Sequence, residues 1–191
     1  GTSKESYLTE IRELIDNCTF SYTRQVEMKG LGHAILTGRT LIGDEPFAVI
    51  LADDLCDNDE DEPVLKQMVE VYEKYRCCVV AIEEVPRDET NKYGVIAGRI
   101  VDGNESVLRV SNMVEKPDPK DAPSNLAIIG RYILIPEIFE VIENTKPGKG
   151  GEIQITDALL ELAKQGKVIA YKFRGKRFDC GSIEGFVEAT N

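Results

Sequence analysis

The stretch PFAVILADDL, residues 46–55, is an apolar run that ends on two carboxylates, Asp53 and Asp54. Such a run is typical of a strand with both faces covered, as in the centre of a parallel sheet. The two acids lie where the chain leaves the core, so they form either a solvated turn or half of a cation site. The stretch therefore predicts a buried strand and leaves those two alternatives open.

The segments before this strand predict a strand–helix–strand unit. Residues 20–26, FSYTRQV, are rich in β-branched and aromatic residues, which favour a strand. HAILTGRTLIG at 33–43 predicts a helix that ends at Gly43. Two strands joined by a helix are expected to run parallel, and ligands of such sheets bind beyond the carboxyl ends of the strands. We therefore expect Gln25 and the Asp53–Asp54 pair to face one crevice.

The rest of the chain alternates strands with helices. Helices are predicted at 63–75, 136–145 and 156–166, and strands at 77–85, 92–103, 106–117, 127–135, 168–173 and 177–181. The Asp-Gly-Asn turn at 102–104 predicts an antiparallel hairpin. The sequence thus predicts a single α/β domain over 1–191, with a mixed, mostly parallel Rossmann-like sheet flanked by helices and a small antiparallel insertion.

Composition limits the partners. The formal net charge is −11, which argues against nucleic acid or an anionic membrane surface. No apolar run is long enough to span a bilayer, and no signal-peptide pattern is present at the start. The five cysteines are odd in number and form no C-x-x-C pair, which predicts reduced thiols in a cytoplasmic protein. The single histidine, His33, excludes a His-based metal cluster and is expected to pack at the start of a helix.

A glycine-rich turn, QVEMKGLGHA at 25–34, is a candidate nucleotide contact. Gly30 and Gly32 have no Cβ, so their backbone can approach a planar ring or a phosphate closely. The amide of Gln25 can hydrogen-bond both the N–H and the C=O groups of a pyrimidine edge. The alternative is a plain turn between strand and helix. The sequence contains no G-x-G-x-x-G or Walker-type phosphate loop, which excludes the usual dinucleotide and P-loop assignments.

Charged side chains at predicted strand ends are further candidates. Asp53 and, late in the chain, Asp179 can together supply the two carboxylates that Mg²⁺ accepts beside phosphate oxygens and waters. Glu115 and Lys116 end a strand before Pro117 and are expected on opposite sides of the backbone. Glu accepts hydrogen bonds from sugar hydroxyls, and Lys is a compact charge for a phosphate. A solvated strand end and an ordinary surface pair are the alternatives.

Six motifs in order resemble one family. They are KGLGHAIL, VILADD, YGVI, VEKP…APSNLAIIGRYIL, GGEIQITDAL and FDCG, spread from about Gln25 to Phe186. In order and spacing they resemble the bacterial UTP–glucose-1-phosphate uridylyltransferases, also called UDP-glucose pyrophosphorylases. The resemblance implies an enzyme that makes UDP-glucose and pyrophosphate from UTP and glucose 1-phosphate. It also implies a homo-oligomer, either a dimer or a tetramer.

The resemblance implies a role for each matching position. Gln25 and the backbone of Gly30 would contact the uracil edge. Asp53 and Asp179 would hold Mg²⁺ and, with Lys116, form the catalytic group. The sugar phosphate would be bound by Gly94, through its backbone, by Glu115 and by Lys116. Supporting contacts are implied for Asn125, Glu152, Lys176 and, beside the metal, Asp54.

This chemistry needs no general base. A sugar phosphate has a second pKa near ~6, so the attacking oxygen is already deprotonated at neutral pH. Catalysis then consists of aligning that oxygen with the α-phosphorus and neutralising developing charge, without a covalent enzyme intermediate.

The family carries a G-x-G-T-R-x-x-P-x-T-K loop that cradles the triphosphate, and it carries a helical arm after DCG. The chain has neither. The resemblance therefore implies a domain truncated at both ends, which by itself lacks part of the catalytic machinery.

Three alternatives stay open at this stage. A related nucleotidyltransferase would keep the mechanism and use another nucleotide. A non-catalytic module would bind a sugar nucleotide without turning it over. A phosphotransferase would use Asp53 as nucleophile, although ADD lacks the D-x-D spacing common in that chemistry.

Overall fold

The computed structural model describes residues 3–59 and 62–191, so residues 1–2 and 60–61 of the predicted domain lie outside the described residues. The α-helices are α1 (Ser3–Asn17), α2 (Leu31–Leu36), α3 (Arg39–Ile42), α4 (Val64–Tyr75), α5 (Glu137–Asn144), α6 (Ile155–Lys164) and α7 (Ile183–Thr190). The strands are β1 (Phe47–Ile50), β2 (Asp54–Asp57), β3 (Cys78–Glu84), β4 (Gly94–Val101), β5 (Asn104–Glu115), β6 (Leu126–Leu134), β7 (Val168–Lys172) and β8 (Lys176–Asp179). None of the described helices is long and apolar enough to cross a membrane.

The central sheet has six strands in the order β1-β6-β3-β7-β5-β4, and β2 and β8 form a separate antiparallel pair. Among these strands only β3 and β7 run parallel, with Cys78 opposite Val168. The α/β class is confirmed, but the prediction of a mostly parallel sheet is wrong. The hairpin β4–β5 is also no insertion, because β5 pairs with β7 and β4 pairs with β6 in the same sheet.

The predicted strand at 20–26 accounts for part of this error. The segment has no regular secondary structure, and Phe20, Tyr22 and Val26 are exposed. Strand preference of such residues reflects packing against neighbours, which this segment does not have. The strand–helix–strand unit is therefore absent, and β1 instead pairs antiparallel with β6.

The core explains why the strands are so apolar. Along β3, Cys78, Val80 and Ile82 pack with α5 and α6 in one cluster. The alternate residues Val79 and Ala81 pack with α4 in another cluster. Side chains alternate between the two faces of a strand, so a sheet covered by helices on both sides requires a continuous apolar run.

Asp53 and Asp54, the two acids of PFAVILADDL, have different positions in the structure. β1 ends at Ile50, Asp53 lies in the turn that follows, and Asp54 begins β2. In the β2–β8 pair, Asp54 lies opposite Asp179. This pairing brings the first and the last candidate carboxylates of the sequence to one place.

Candidate active site

A buried arginine, Arg177, organises one end of the site. Its side chain is 8% exposed and pairs with Asp54, with Glu83 at 2.8 Å and with Asp179 at 3.3 Å. The guanidinium also lies over the ring of Tyr93, 5.2 Å from its centroid. Burial opposes the charge of Arg177, but the Tyr93 hydroxyl and the Asp54 carboxylate raise its pKa above the ordinary value. Arg177 is therefore a fixed cation that pairs with three carboxylates.

Asp54 is saturated by the protein itself. It is 7% exposed, and its Oδ2 accepts a hydrogen bond from the backbone N–H of Gly130 at 2.8 Å. Its other oxygen accepts from Arg177. The solvated turn considered for this residue is wrong, because the β2–β8 pairing buries it. Asp54 therefore has a protein partner on each carboxylate oxygen, and it also lines a cavity.

The turn that carries Asp53 is held by a second arginine. Arg131 of β6 donates hydrogen bonds from Nη1 to the carbonyls of Leu51, at 3.1 Å, and Gly130, at 3.0 Å. Its Nη2 donates to the carbonyl of Asp54. These contacts fix the backbone on both sides of Asp53, whose own side chain is exposed.

The carboxylates of Asp53 and Asp179 converge on Gly181. A Cβ at Gly181 would lie 3.1 Å from Asp179 Oδ1 and 3.4 Å from Asp53 Oδ2. The chain holds the pair together, since the Cys180 N–H donates to the carbonyl of Asp53 at 2.7 Å. Asp179 Oδ2 accepts from the Tyr93 hydroxyl at 3.3 Å, and Oδ1 faces the shared space while accepting from the Gly181 N–H at 3.2 Å. The missing side chain of Gly181 keeps that space open.

These two carboxylates fit a hard cation that takes further ligands from phosphate and water, as Mg²⁺ does. In the described part of the chain, no group of three or more His, Cys, Asp or Glu side chains is placed to hold a metal by itself. The donor set is therefore that of a metal–phosphate complex rather than of a closed structural metal site.

A cavity of about 270 Å³ adjoins this carboxylate cluster. Its wall includes the predicted residues Gly94, Glu115, Lys116 and Glu152, together with Asp54, Tyr93, Thr156 and Arg177. A larger groove, of about 780 Å³, lies between α5 and α6, and none of the predicted site residues lines it. The smaller cavity is therefore the candidate active site.

Glu115 is held inside the cavity wall. Its side chain is 19% exposed, and its Oε2 accepts a hydrogen bond from the Thr156 hydroxyl at 3.0 Å. Burial raises the pKa of Glu115 above its ordinary value, although the Thr156 hydroxyl partly offsets this effect. Lys116 Nζ lies 3.9 Å from Glu115 Oε1. The expectation that Glu115 and Lys116 point to opposite sides is wrong, because Lys116 has φ +45° and leaves the extended conformation.

The absence of a side chain at Gly94 leaves room for Glu115 and Thr156 to meet in the cavity wall. A Cβ at Gly94 would lie 2.7 Å from Cγ2 of Thr156 and 3.2 Å from Oε2 of Glu115. Both distances are shorter than ordinary van der Waals contacts, so any larger residue would push Thr156 or Glu115 aside. The glycine is thus required by close packing at the point where Glu115 enters the cavity.

The glycine-rich turn packs at the edge of the same cavity. Gly32 N–H donates to the carbonyl of Ile153 at 2.9 Å, and Ile153 N–H donates to the carbonyl of Lys29 at 2.7 Å. Gly30 has φ +89°, and a Cβ there would lie 2.9 Å from Cβ of Glu152. The turn is therefore joined to the cavity wall through Glu152.

Gln25 lies beside this turn rather than at a strand end. Its Nε2 donates to the carbonyl of Gly30 at 3.1 Å and lies 2.9 Å from Nδ1 of His33. The side chain is half-buried. Gln25 is thus connected to the cavity through Gly30 and Glu152, and not through a shared sheet edge with Asp53.

Six predicted residues do not line the cavity, and the last two of them have other partners: Gln25, Gly30, Asp53, Asp179, Asn125 and Lys176. Asn125 donates from Nδ2 to the carbonyl of Val85 at 3.4 Å. Lys176 pairs with Glu188 at 2.6 Å and lies over the ring of Phe178. Lys176 precedes Arg177 on β8, so the two side chains alternate between its faces. Their roles as substrate contacts remain predictions.

Sequence reasoning missed Arg177 and Thr156. Arg177 was placed only in the predicted strand at 177–181, and Thr156 only at the start of the predicted helix at 156–166. A signal was present for Arg177, because residues two apart on a strand share a face. Recognition of its role still required knowledge that β2 pairs with β8.

Comparisons with known proteins agree with this geometry. Residues 2–191 match the family model for nucleotidyl transferases. The chain therefore belongs to the nucleotidyl transferase family.

Within that family the chain is similar over its whole length to proteins named UTP–glucose-1-phosphate uridylyltransferase. It is 70% identical over 191 residues to the one from Pseudomonas aeruginosa, of which it covers 68%. It is 43% identical over 187 residues to the one from Bacillus subtilis, of which it covers 63%. The resemblance found in the sequence motifs is confirmed, and the matches favour uridylyl transfer over the three alternatives.

Solved structures of similar proteins have the same fold as this chain. The chain superposes with a TM-score of 0.95 and 60% identity on a UDP-glucose pyrophosphorylase complexed with UDP-glucose, covering all of this chain and 72% of that one. A UTP-bound UGPase from Acinetobacter baumannii superposes with a TM-score of 0.83 at 33% identity, over 97% of this chain and 64% of that one.

Proposed function

We propose that this chain is the nucleotidyltransferase domain of an enzyme that transfers the uridylyl group of UTP to glucose 1-phosphate, giving UDP-glucose and pyrophosphate. The identity of 70% to a uridylyltransferase of that name supports the substrates. The observation that carries the proposal is the adjacency of two elements. A cavity with a buried Glu115 and a cationic Lys116 adjoins the converging carboxylates of Asp53 and Asp179.

Each side chain has a role that its chemistry supports. Glu115 accepts hydrogen bonds from glucose hydroxyls, with the backbone of Gly94 beside it. Lys116 binds the phosphate of glucose 1-phosphate. Gln25 and Gly30 contact the uracil base, and weaker supporting contacts come from Asn125, Glu152 and Lys176. Asp53 and Asp179 hold Mg²⁺, which when bound supplies positive charge at the triphosphate.

The chain's own residues act by positioning and by charge. The phosphate oxygen of the sugar attacks without a general base, since it is deprotonated at neutral pH. Lys116 is the cation available to it, because Arg177 is already paired with three carboxylates. Alignment of the two substrates along one cavity accounts for most of the rate enhancement.

We also propose a cytoplasmic location and a homo-oligomeric state, either a dimer or a tetramer. The location is supported by the five cysteines, all of which are free thiols, since disulfides are rare in the cytoplasm. The oligomeric state is supported only by the family resemblance, and sedimentation measurements would test it.

The experiment is a product assay of the full-length enzyme that carries this domain, with UTP, glucose 1-phosphate and Mg²⁺, repeated with ATP, GTP, CTP and dTTP. We expect UDP-glucose and pyrophosphate in equal amounts from UTP, and loss of at least ~100-fold in rate for Asp53→Asn. Product from another nucleotide but not from UTP would contradict the proposal. Binding of UDP-glucose without turnover would instead support a non-catalytic module.

A further inference from the structure

We propose that His33 is a positioning residue that fixes the amide of Gln25, so that Gln25 offers only its carbonyl oxygen to the base and selects a ring that carries an N–H. This inference rests on the proposed function, because it concerns the same nucleotide contact. It goes further in naming the residue that sets the choice between uracil and cytosine.

The carbonyl of Gly30 determines which end of the Gln25 amide faces it. A carbonyl oxygen only accepts hydrogen bonds, and this one accepts the N–H of Ala34 at 3.1 Å. The Gln25 atom at 3.1 Å from it must be a donor. A flipped amide would place two oxygens against each other, so the nitrogen is the atom directed at Gly30.

The position of the amide nitrogen then determines the state of His33. Gln25 Nε2 lies 2.9 Å from Nδ1 of His33, and an amide nitrogen can only donate. Nδ1 must therefore accept, which requires a neutral imidazole with its proton on Nε2. Because His33 lies on α2, whose backbone begins at Gly30, the acceptor and the carbonyl are held by one rigid element.

Both N–H groups of the Gln25 amide are thus used within the protein. In residues 3–59 and 62–191, no donor is hydrogen-bonded to Oε1 of Gln25, which is left as its free polar atom. An acceptor pairs with the N3–H of uracil but faces the lone pair on N3 of cytosine. The expectation that this amide reads both the N–H and the C=O of a pyrimidine is replaced by an acceptor-only contact.

The ratio of UTP to CTP affinity directly tests whether His33 orients the Gln25 amide. In His33→Leu the amide loses one of its two acceptors and can rotate to present its N–H groups. We expect the ratio of UTP to CTP affinity to fall by about five- to tenfold, the usual effect of one hydrogen bond. His33→Asn is the matched control, because its Oδ1 is separated from Cα by the same bonds as Nδ1, and we expect it to keep the wild-type ratio.

The outcomes separate the two proposals. If the wild-type protein binds no uridine nucleotide, the proposed function fails. If the wild type prefers UTP and His33→Leu keeps the same ratio, only the role of His33 is overturned. Partial unfolding would weaken both nucleotides equally, so the ratio is compared only between proteins that still unfold cooperatively.

The imidazole itself gives a second test that does not depend on substrate. The chain has one histidine, so its long-range nitrogen–proton NMR spectrum reports His33 without assignment. We expect a proton on Nε2 and an unprotonated Nδ1 in the wild type, and a mixture of tautomers in Gln25→Leu. A proton on Nδ1 in the wild type would overturn the inference even if His33→Leu did not fold.

Discussion

Asp54 and Asp53 are consecutive residues, yet they belong to two different regions. Asp54 lies in a buried cluster of paired charges, and Asp53 lies in an exposed turn. Around Arg177, the carboxylate of Asp54 is buried and accepts hydrogen bonds from Gly130 and Arg177. One residue earlier, the carboxylate of Asp53 is exposed and accepts no hydrogen bond from any described residue. The first region is saturated by the protein, and the second leaves acceptors free.

This difference separates structural polar groups from ligand-binding ones. A buried charge without partners is costly, so the cluster at Arg177 must be complete for the fold to be stable. The exposed carboxylate of Asp53 contributes little to stability and remains available for a cation, while Asp179 and Glu115 keep acceptor capacity beside their contacts with Arg177, Tyr93 and Thr156. Changes in the first region should therefore affect folding, and changes in the second should affect binding.

The largest effect on stability is expected for Arg177→Met, which leaves buried Asp54 and half-buried Glu83 without their cation. We expect a loss of about 3–5 kcal/mol in the free energy of unfolding. Urea denaturation measures it. Lys176→Met is the control, because that lysine is 60% exposed and pairs with Glu188, and an exposed pair contributes at most ~1 kcal/mol. Equal losses in the two variants would contradict the saturated cluster.

Gly94→Ala tests the boundary between the two regions. The added methyl would lie 2.7 Å from Thr156 Cγ2, and overpacking of a buried site costs about 1–3 kcal/mol. Because Glu115 is displaced with Thr156, affinity for UDP-glucose should fall as well, which calorimetry measures. A variant with unchanged stability and affinity would show that Gly94 is not constrained by close packing.

Glu115→Gln is expected to raise the free energy of unfolding, by less than the loss expected for Arg177→Met. The pKa of Glu115 is raised by burial, so the wild type loses stability as the pH rises through that raised value, while the Gln variant does not. Below the ordinary value of 4.5 both side chains are neutral and the difference disappears. The variant should therefore gain stability relative to the wild type as the pH rises above 4.5.

Binding by Glu115→Gln should change in the other direction. Loss of a charged acceptor for sugar hydroxyls should weaken UDP-glucose by about 10- to 100-fold. Thermal denaturation across pH and titration at pH 7 together test the pair of effects. A variant that is both less stable and equally able to bind would place Glu115 in the structural region.

Gly181→Ala should have the smallest effect on stability, within ~0.5 kcal/mol, because Gly181 is exposed. Its methyl group would still occupy the space between Asp53 and Asp179. We therefore expect activity to require several-fold more Mg²⁺, as measured by the Mg²⁺ dependence of the rate. An unchanged dependence would remove the metal site from this position.

Much of the fold is readable from local pattern. The apolar run of β3, the hairpin β4–β5 and the helices α4 to α6 follow from periodicity and turn residues. The error at 20–26 has a tertiary cause, since strand-forming residues without neighbours do not form a strand. That one error explains only the expected parallel pairing of β1, because the antiparallel pairings of β6 with β3 and of β5 with β7 join distant segments and follow from no local pattern.

The site was predictable where its residues lie in motifs, and not where it depends on distant pairing. Glu115, Lys116 and Gly94 meet in one cavity, as the family resemblance implied. The contact between Asp54 and Arg177 joins residues 123 apart, which no local pattern shows. His33 was expected only to pack at a helix start, although it lies eight residues from its partner Gln25.

The most direct test of the metal site proposed at Asp53 and Asp179 is calorimetric titration of the protein with UDP-glucose. The titration is made with and without Mg²⁺ for the wild type, Asp53→Ala and Asp179→Ala. We expect binding to be tightened by Mg²⁺ in the wild type, and this gain to be lost in both variants while the proteins still unfold cooperatively. Binding that is independent of Mg²⁺ and equal in all three proteins would contradict the assignment of these carboxylates to the metal–phosphate site.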